Sequence, residues 1–283
     1  MPAIQPARLK LQAAALSAVF DQPEVFTQQL IDLLEQYADR TQRPGQSGTP
    51  NPLLPSFNVP SPVIRQILAT IHSNAEEDSQ TTLRLSDILW MQPNLECKIL
   101  SSHLLGWVKS IPTTAIIERI SRRIGDTIDD QVIRIIVQHG LAHVRQSDPQ
   151  AILELAQQWL QSLRLVDQKI GLIALDTLVG DHNFDNLPAI FLMVTPFFRK
   201  APIELRPVLV DFINSLALRS PQETTYLLQE NLRATENPDT AWLIRQLLTS
   251  TATNTDEFKK VELHEDLKQS LRQALRNNIM PEE

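Results

Sequence analysis

Residues 148–179, DPQAILELAQQWLQSLRLVDQKIGLIALDTLV, contain the pattern that decides the fold class of this 283-residue chain. An aspartate followed by a proline is typical of a helix start, because proline is tolerated at the first helical position, where an amide has no intrahelical partner. Apolar residues then follow at the i, i+3, i+4 and i+7 spacing of an α-helix, at Ile152, Leu155, Ala156 and Trp159. After a polar turn the same period resumes. We therefore predict two consecutive helices here.

The helix-pair pattern extends along most of the chain. Proline recurs at intervals of 33 to 39 residues, with two predicted helices between successive marks, at Pro112, Pro149, Pro188 and Pro221. This interval is close to the ~40 residues of HEAT-type repeats, in which stacked pairs bury a continuous core that one pair cannot bury alone. We predict an all-α fold, an α-solenoid of antiparallel HEAT-like (ARM-type) helix pairs with a superhelical course. A globular helical bundle is the alternative.

The domain organisation follows from composition. We expect residues 1–250 to form a single HEAT-like repeat domain, and residues 41–60, rich in proline, glycine and serine, to form a long loop inside it. Residues 251–283 are densely charged and are expected to form a capping helix or a tail. Residues 129–146 are predicted as one uninterrupted helix.

Composition also limits the function classes. A formal net charge of −7 means that DNA binding requires basic residues gathered on one face. The single cysteine, Cys97, excludes an internal disulfide and lies in an apolar helical run, so we expect a buried, inert thiol. We find no convincing signal peptide and no run of ~20 apolar residues. The expected location is cytoplasmic, with no membrane partner.

Acidic residues cluster in the middle of the chain, at Asp126, Asp129 and Asp130. In one interpretation, Asp126 or Thr127 caps the next helix while the other two aspartates favour the positive end of its dipole. In the other, one aspartate faces a cleft and stabilises a developing cation. The spacing leaves both interpretations open.

Basic residues are distributed over several predicted repeats. In a solenoid, equivalent positions of successive repeats line one concave surface, so these side chains are candidates for a basic stripe despite the acidic total. The alternative is that they are scattered and solvated. The basic residues concerned are Arg119, Arg122, Arg123, Arg134, Arg164, Lys169, Arg199 and Lys200.

No cofactor or metal site is predicted. The seven glycines are scattered, so there is no phosphate-binding loop, and no Gly-x-Ser-x-Gly elbow occurs. His139 and His143 lie four residues apart, but Gly140 occupies the position where the zinc-protease pattern needs a glutamate.

Three stretches resemble the DNA alkylation-repair family of HEAT-like repeat glycosylases, the AlkD-like proteins. Residues 57–68, FNVPSPVIRQIL, are similar to the family's Gly-Val-x-x-Pro-x-Leu-Arg opening, with Asn58 in place of the glycine. Residues 87–106, DILWMQPNLECKILSSHLLG, resemble its Leu-Trp pair followed by Glu-x-Arg. Residues 212–223, FINSLALRSPQE, are similar to a family helix that ends in Leu-Arg. The likeness covers most of residues 1–250.

The resemblance implies a chemistry and a set of residues. Family members excise cationic alkylpurines using an aspartate that steadies the sugar cation, tryptophans that contact the sugar and an arginine that holds a phosphate. The aspartate falls on Asp129, with Asp130 as a one-residue alternative. The tryptophan positions fall on Gly125 and Leu216, and the arginine falls on Lys169.

We therefore expect a protein that binds damaged or distorted double-stranded DNA in a concave groove and, when catalytically active, is an N-glycosylase. The expected DNA-binding residues are Arg122, Arg123, Lys169, Arg199 and Lys200. Two alternatives stay open: a structure-specific DNA binder without excision activity, and a non-enzymatic HEAT-like scaffold that binds a protein partner.

Overall fold

The computed structural model describes residues 4–39, 53–127, 129–234, 236–249 and 265–279. All regular structure in these ranges is helical, which confirms the predicted all-α class. The chain divides into two compact units, residues 1–148 and residues 149–283. None of the helices in the described ranges has both the length and the apolar composition that a membrane span requires.

The described residues of the first unit form eight α-helices. The odd-numbered helices pack side by side in one layer, and α2 and α4 pack in a second layer, to which α6 is joined by side-chain hydrogen bonds from α6 to α4. The helices are α1 (Pro6–Ser17), α2 (Pro23–Gln36), α3 (Ser61–Glu77), α4 (Ser79–Met91), α5 (Leu95–Trp107), α6 (Thr113–Gly125), α7 (Asp130–Ile135) and α8 (Ala142–Ser147).

The second unit repeats this arrangement. The helices α9, α11, α13 and α15 pack in sequence in one layer, and α10, α12 and α14 pack in the other. The helices are α9 (Pro149–Gln161), α10 (Leu165–Val179), α11 (Leu187–Arg199), α12 (Arg206–Arg219), α13 (Pro221–Arg233), α14 (Thr240–Thr249) and α15 (Glu265–Ile279). The predicted loop at 41–60 and charged segment at 251–283 lie partly outside the described residues, at 41–52, 251–264 and 280–283.

Apolar stripes at the helical period form the core of each unit. In the first unit, Phe26, Leu30 and Ile67 are almost fully buried, and in the second, Phe198 and Phe212 are fully buried. Burying each such side chain stabilises the fold by ~1.5–3 kcal/mol relative to leaving it exposed. These stripes explain why local periodicity was sufficient to predict the helices.

The prediction of one helix over residues 129–146 is wrong. After α7 the chain forms a π-helical turn, Ile136–Gly140, before α8 begins. Gly140 weakens a regular helix at this point because glycine has no side chain and loses more backbone conformational entropy on folding than any other residue. The spacing of His139 and His143 is therefore not that of one continuous α-helix.

Prolines mark helix starts more consistently than serine side chains cap them. Pro149 and Pro221 occupy the start of α9 and α13, as predicted. Ser61 is itself the first residue of α3, and Ser220 does not cap α13 but donates a hydrogen bond to Glu223 at 2.6 Å. The prolines lie where predicted because the restriction of the proline φ angle is a local property. A serine hydroxyl, in contrast, can donate to any of several nearby acceptors.

Candidate functional site around Asp129

Asp129 lies between α6 and α7 and is only 4% exposed. Its Oδ1 accepts hydrogen bonds from the amides of Gln131 at 2.8 Å and Val132 at 3.3 Å, so its side chain caps α7. One of the two interpretations of the acidic cluster placed this cap on Asp126 or Thr127, but Asp129 is the residue at the N-cap position. The cap holds one carboxylate oxygen in a fixed position.

The second oxygen of the same carboxylate meets a distant part of the chain. The backbone amide of Leu53 donates a hydrogen bond to Asp129 Oδ2 at 2.7 Å. The Leu53 side chain is 69% exposed, so the backbone rather than the side chain of this residue is engaged. Both carboxylate oxygens therefore accept hydrogen bonds from backbone amides.

The other two aspartates of the acidic cluster are exposed. Asp126 follows the last turn of α6, and Asp130 is the first residue of α7. Asp130 lies where the α7 dipole favours a negative charge. The three aspartates thus differ in environment, and Asp129 is the buried one.

Glu96 organises the segment that reaches Asp129. This carboxylate lies in the first turn of α5, is 3% exposed, and accepts hydrogen bonds from the Ser56 hydroxyl at 2.9 Å and from the amides of Phe57 and Val59 at 3.2 and 3.3 Å. The Pro55 carbonyl in turn accepts a hydrogen bond from the amide of Leu95 at 2.9 Å. We call residues 53–59 the cover segment. Its attachment to α5 satisfies a buried charge that would otherwise be costly.

Asn58 explains one detail of the sequence pattern. Its φ is 53°, in the left-handed region that glycine and asparagine adopt most readily. The resembling family motif has glycine at this position. Asparagine is therefore a substitution that keeps the bend in the cover segment.

Arg122 and Arg123 have opposite environments although they are adjacent. Arg122 is exposed on the last turn of α6. Arg123 is 3% exposed, and its guanidinium donates to the hydroxyls of Ser86 and Ser101 at 3.0 and 3.1 Å and to Asp87 at 2.8 Å. Burial lowers the pKa of Arg123 to about 10, although Asp87 opposes that shift. Arg123 thus joins α6 to α4 and α5, and its guanidinium faces the interior.

Two cations lie close to the ring of Trp90, the tryptophan of the Leu-Trp motif. The Lys98 ammonium is 4.5 Å from the centroid of the Trp90 ring, and the Arg123 guanidinium carbon is 5.0 Å from it. Lys98 also donates a hydrogen bond to the Trp90 carbonyl. Burial, and then the charge of Arg123, lowers the pKa of Lys98. The motif therefore contributes cation–π packing between α4, α5 and α6.

The amino-acid sequence matches the family model described as DNA alkylation repair enzyme over residues 30–194, more than half of the chain. The chain belongs to this family. No curated protein and no solved structure matches the chain. The matched range begins within α2 and ends within α11, so this DNA alkylation repair family region includes Asp129, Glu96 and the cover segment.

Two positions where the resemblance places tryptophans of the DNA alkylation repair family differ in environment. Gly125, at the end of α6, is exposed, and a Cβ built on it meets no atom within 4 Å. Leu216, in α12, is fully buried in the core of the second unit. A Cβ is therefore accommodated at Gly125, whereas at Leu216 a larger ring would overpack the core.

The remaining predicted DNA contacts of this family member lie in the second unit. Lys169 is half-buried in α10, and Lys200 is exposed just after α11. Arg199, at the end of α11, is exposed and donates a hydrogen bond to the Asn231 side chain at 2.7 Å. Arg122, Arg123 and Asp129 belong to the first unit, so the predicted residues are divided between the two units.

A row of rings in the first unit was not found by sequence reasoning. The Trp107 ring lies 4.6 Å from His72 and 6.0 Å from His103, and His103 stacks on His139 at 3.9 Å. Burial, and then His139, lowers the pKa of His103 to about 3. The sequence carries a weak signal, since His103 and Trp107 are four residues apart in α5. Among the described residues, no group of three or more potential ligands is placed to hold a metal ion.

Proposed function

We propose that this protein binds damaged or distorted duplex DNA and releases cationic alkylpurines, with Asp129 as the catalytic carboxylate. The observation that carries the proposal is the family match over a region that includes a buried aspartate held at an interhelical connection. Asp130 is the alternative carboxylate, but its side chain is exposed. We also propose that the two helix layers of each unit belong to one HEAT-like solenoid.

The chemistry requires little from the protein. In a 7-methylpurine nucleotide the base is cationic, so the bond from C1′ to the base nitrogen breaks with both electrons going to the base, which leaves as a neutral molecule. The sugar gains positive charge, and a carboxylate in a site with little water stabilises that charge. Water then adds to C1′ and loses a proton to the carboxylate or to solvent.

Phosphate contacts are assigned to the exposed or half-buried cations Arg122, Lys169, Arg199 and Lys200. Each such contact releases counterions, so DNA affinity falls steeply with added salt. Arg123 is left out of this set because its guanidinium is bonded to Asp87 and two serines.

The test compares base release from a duplex carrying 7-methylguanine by wild type, Asp129→Asn and Asp130→Asn. We expect Asp129→Asn to lower the release rate roughly hundredfold, while Asp130→Asn changes it little. Asparagine still caps a helix, so the fold is kept. Equal release by wild type and Asp129→Asn, or release no faster than spontaneous depurination, contradicts the enzymatic proposal.

Two observations favour the non-enzymatic alternatives. The near-complete burial of Asp129 and the absence of a ring at Gly125 favour a DNA binder without excision activity. In the second unit, a shallow, open depression of about 350 Å³ between α11 and α13, lined by Phe191, Gln222, Glu223, Tyr226 and Leu227, favours a scaffold that binds a protein. Salt-sensitive DNA binding without base release supports the first, and absence of DNA binding at low salt supports the second.

A further inference from the structure

The Asp129 carboxylate is bonded in a way that conflicts with direct contact to a substrate. Its Oδ1 is held by two amides of α7, and its Oδ2 by the amide of Leu53. With the residue 4% exposed, no substrate atom reaches the carboxylate while the Leu53 amide is in place. Of these contacts, the one from Leu53 comes from outside α7, so its loss leaves the α7 cap in place.

The two ends of the cover segment are held differently. The end near α5 is anchored by Glu96, which accepts hydrogen bonds from Ser56, Phe57 and Val59. At the other end, the amide of Leu53 reaches Asp129 while its side chain points largely into solvent. Residues 55, 56, 57 and 59 are thus attached to α5, whereas Leu53 is attached to Asp129, so a bend near Pro55 separates the two attachments.

We propose that residues 53–59 form a displaceable cover, hinged near Pro55, whose Leu53 end leaves Asp129 Oδ2 when DNA binds. This inference rests on the proposed function, since the substrate sugar takes the place of the Leu53 amide. While the Leu53 amide is bonded to Asp129, it offsets part of the negative potential of the carboxylate and keeps water away from it. The apparent affinity for substrate is then reduced by the fraction of molecules that are open.

The decisive pair of variants is Leu53→Pro and Leu53→Ala. Both remove the exposed leucine side chain, but only proline removes the backbone N–H that bonds to Asp129. Loss of one hydrogen bond to a charged group is expected to raise lesion-DNA affinity and base release on the order of tenfold for Leu53→Pro. Leu53→Ala is expected to stay within about twofold of wild type, because it keeps that bond. If Leu53→Pro and Leu53→Ala have the same lesion-DNA affinity and the same rate of base release, the proposed cover is wrong.

Hydrogen exchange provides a second measurement that does not depend on a variant. The probe is a duplex carrying 7-methyl-2′-fluorodeoxyguanosine, in which fluorine disfavours the sugar cation and so slows cleavage. In the free protein we expect slow exchange at the amides of Leu53, Phe57 and Val59. Saturating duplex should accelerate exchange at Leu53 alone. Unchanged exchange at Leu53, or acceleration at all three, contradicts a hinge near Pro55.

The outcomes separate this inference from the proposed function. DNA binding with unchanged Leu53 exchange overturns the cover and leaves the DNA-binding proposal intact. Binding by Leu53→Pro but not by wild type supports the cover. Failure of both proteins to bind the duplex at low salt overturns both.

Discussion

Asp87 Oδ1 lies 2.8 Å from the Arg123 guanidinium, and Asp87 also receives two hydrogen bonds from Arg119 at 2.9 Å each. One carboxylate of α4 thus holds two arginines of α6. The pairing satisfies the guanidinium of the buried Arg123, whereas its neighbour Arg122 is exposed. Two adjacent basic residues therefore have different environments, one bonded inside the first unit and one exposed to solvent.

The first prediction concerns this pair. Arg123→Ala should lower the free energy of unfolding by about 2–3 kcal/mol, because it removes three hydrogen bonds and packing against Trp90. Arg122→Ala should leave stability within about 0.5 kcal/mol and instead weaken DNA binding, with a salt slope smaller by about one. Urea denaturation and DNA titrations at several salt concentrations measure the two effects. A loss of stability in Arg122→Ala together with weaker DNA binding in Arg123→Ala would contradict the structure.

The second prediction concerns pH. The pKa of folded His103 is about 3, below the ordinary value of 6.5, so the unfolded chain takes up a proton at this residue before the folded chain does. The contribution of His103 to the free energy of unfolding should therefore be fully present above about pH 6.5. It should fall as the pH is lowered from there towards 3, with a slope of at most ~1.4 kcal/mol per pH unit.

His103→Gln should flatten this part of the stability profile, and His143→Gln serves as the control. Chemical denaturation at intervals between pH 7 and pH 4 provides the measurement. Profiles of equal steepness for wild type and His103→Gln would show that His103 does not carry the effect.

The third prediction concerns two glycines. A Cβ on Gly106 of α5 would lie 1.9 Å from the His139 carbonyl oxygen of the π-helical turn, so Gly106→Ala must push α5 away from that turn. We expect a loss of about 3 kcal/mol or more. Gly125→Ala meets no atom within 4 Å and should stabilise α6 by about 0.5–1 kcal/mol. Thermal and urea denaturation of the matched pair tests both, and a tolerated Gly106→Ala would contradict the close approach.

The fourth prediction concerns Cys97. Burial, and then the charge of Glu96, raises the pKa of this thiol to about 12, and the side chain is fully buried. The folded protein should therefore not react with Ellman's reagent at pH 8, whereas one equivalent should react in denaturant. The reaction rate of the single cysteine then reports opening of α5. Rapid labelling of the native protein at the rate of a free thiol would be inconsistent with this burial.

Helix positions and the family were predictable because their signals are local. Period and proline placement located α9, α10 and α13, and the Leu-Trp and Glu-x-Lys pattern led to the family that the comparison confirms. The π-helical turn was missed, since the close contact between Gly106 and the His139 carbonyl depends on residues of two different helices.

The candidate site was predictable only in part. Asp129 was identified because the family resemblance places the catalytic aspartate at this position. The predicted solenoid, DNA groove and catalytic role remain predictions.

Local sequence was enough to set the helical period, the proline-marked helix starts and the resemblance around Asp129, because these depend on residues a few positions apart. Tertiary packing alone decided that Arg123 faces Asp87 while Arg122 faces solvent, and that the Leu53 amide, 76 positions away in the chain, lies on Asp129. Adjacent residues on a helix point about 100° apart. Which of them is buried depends on the neighbouring helix that arrives from elsewhere in the chain.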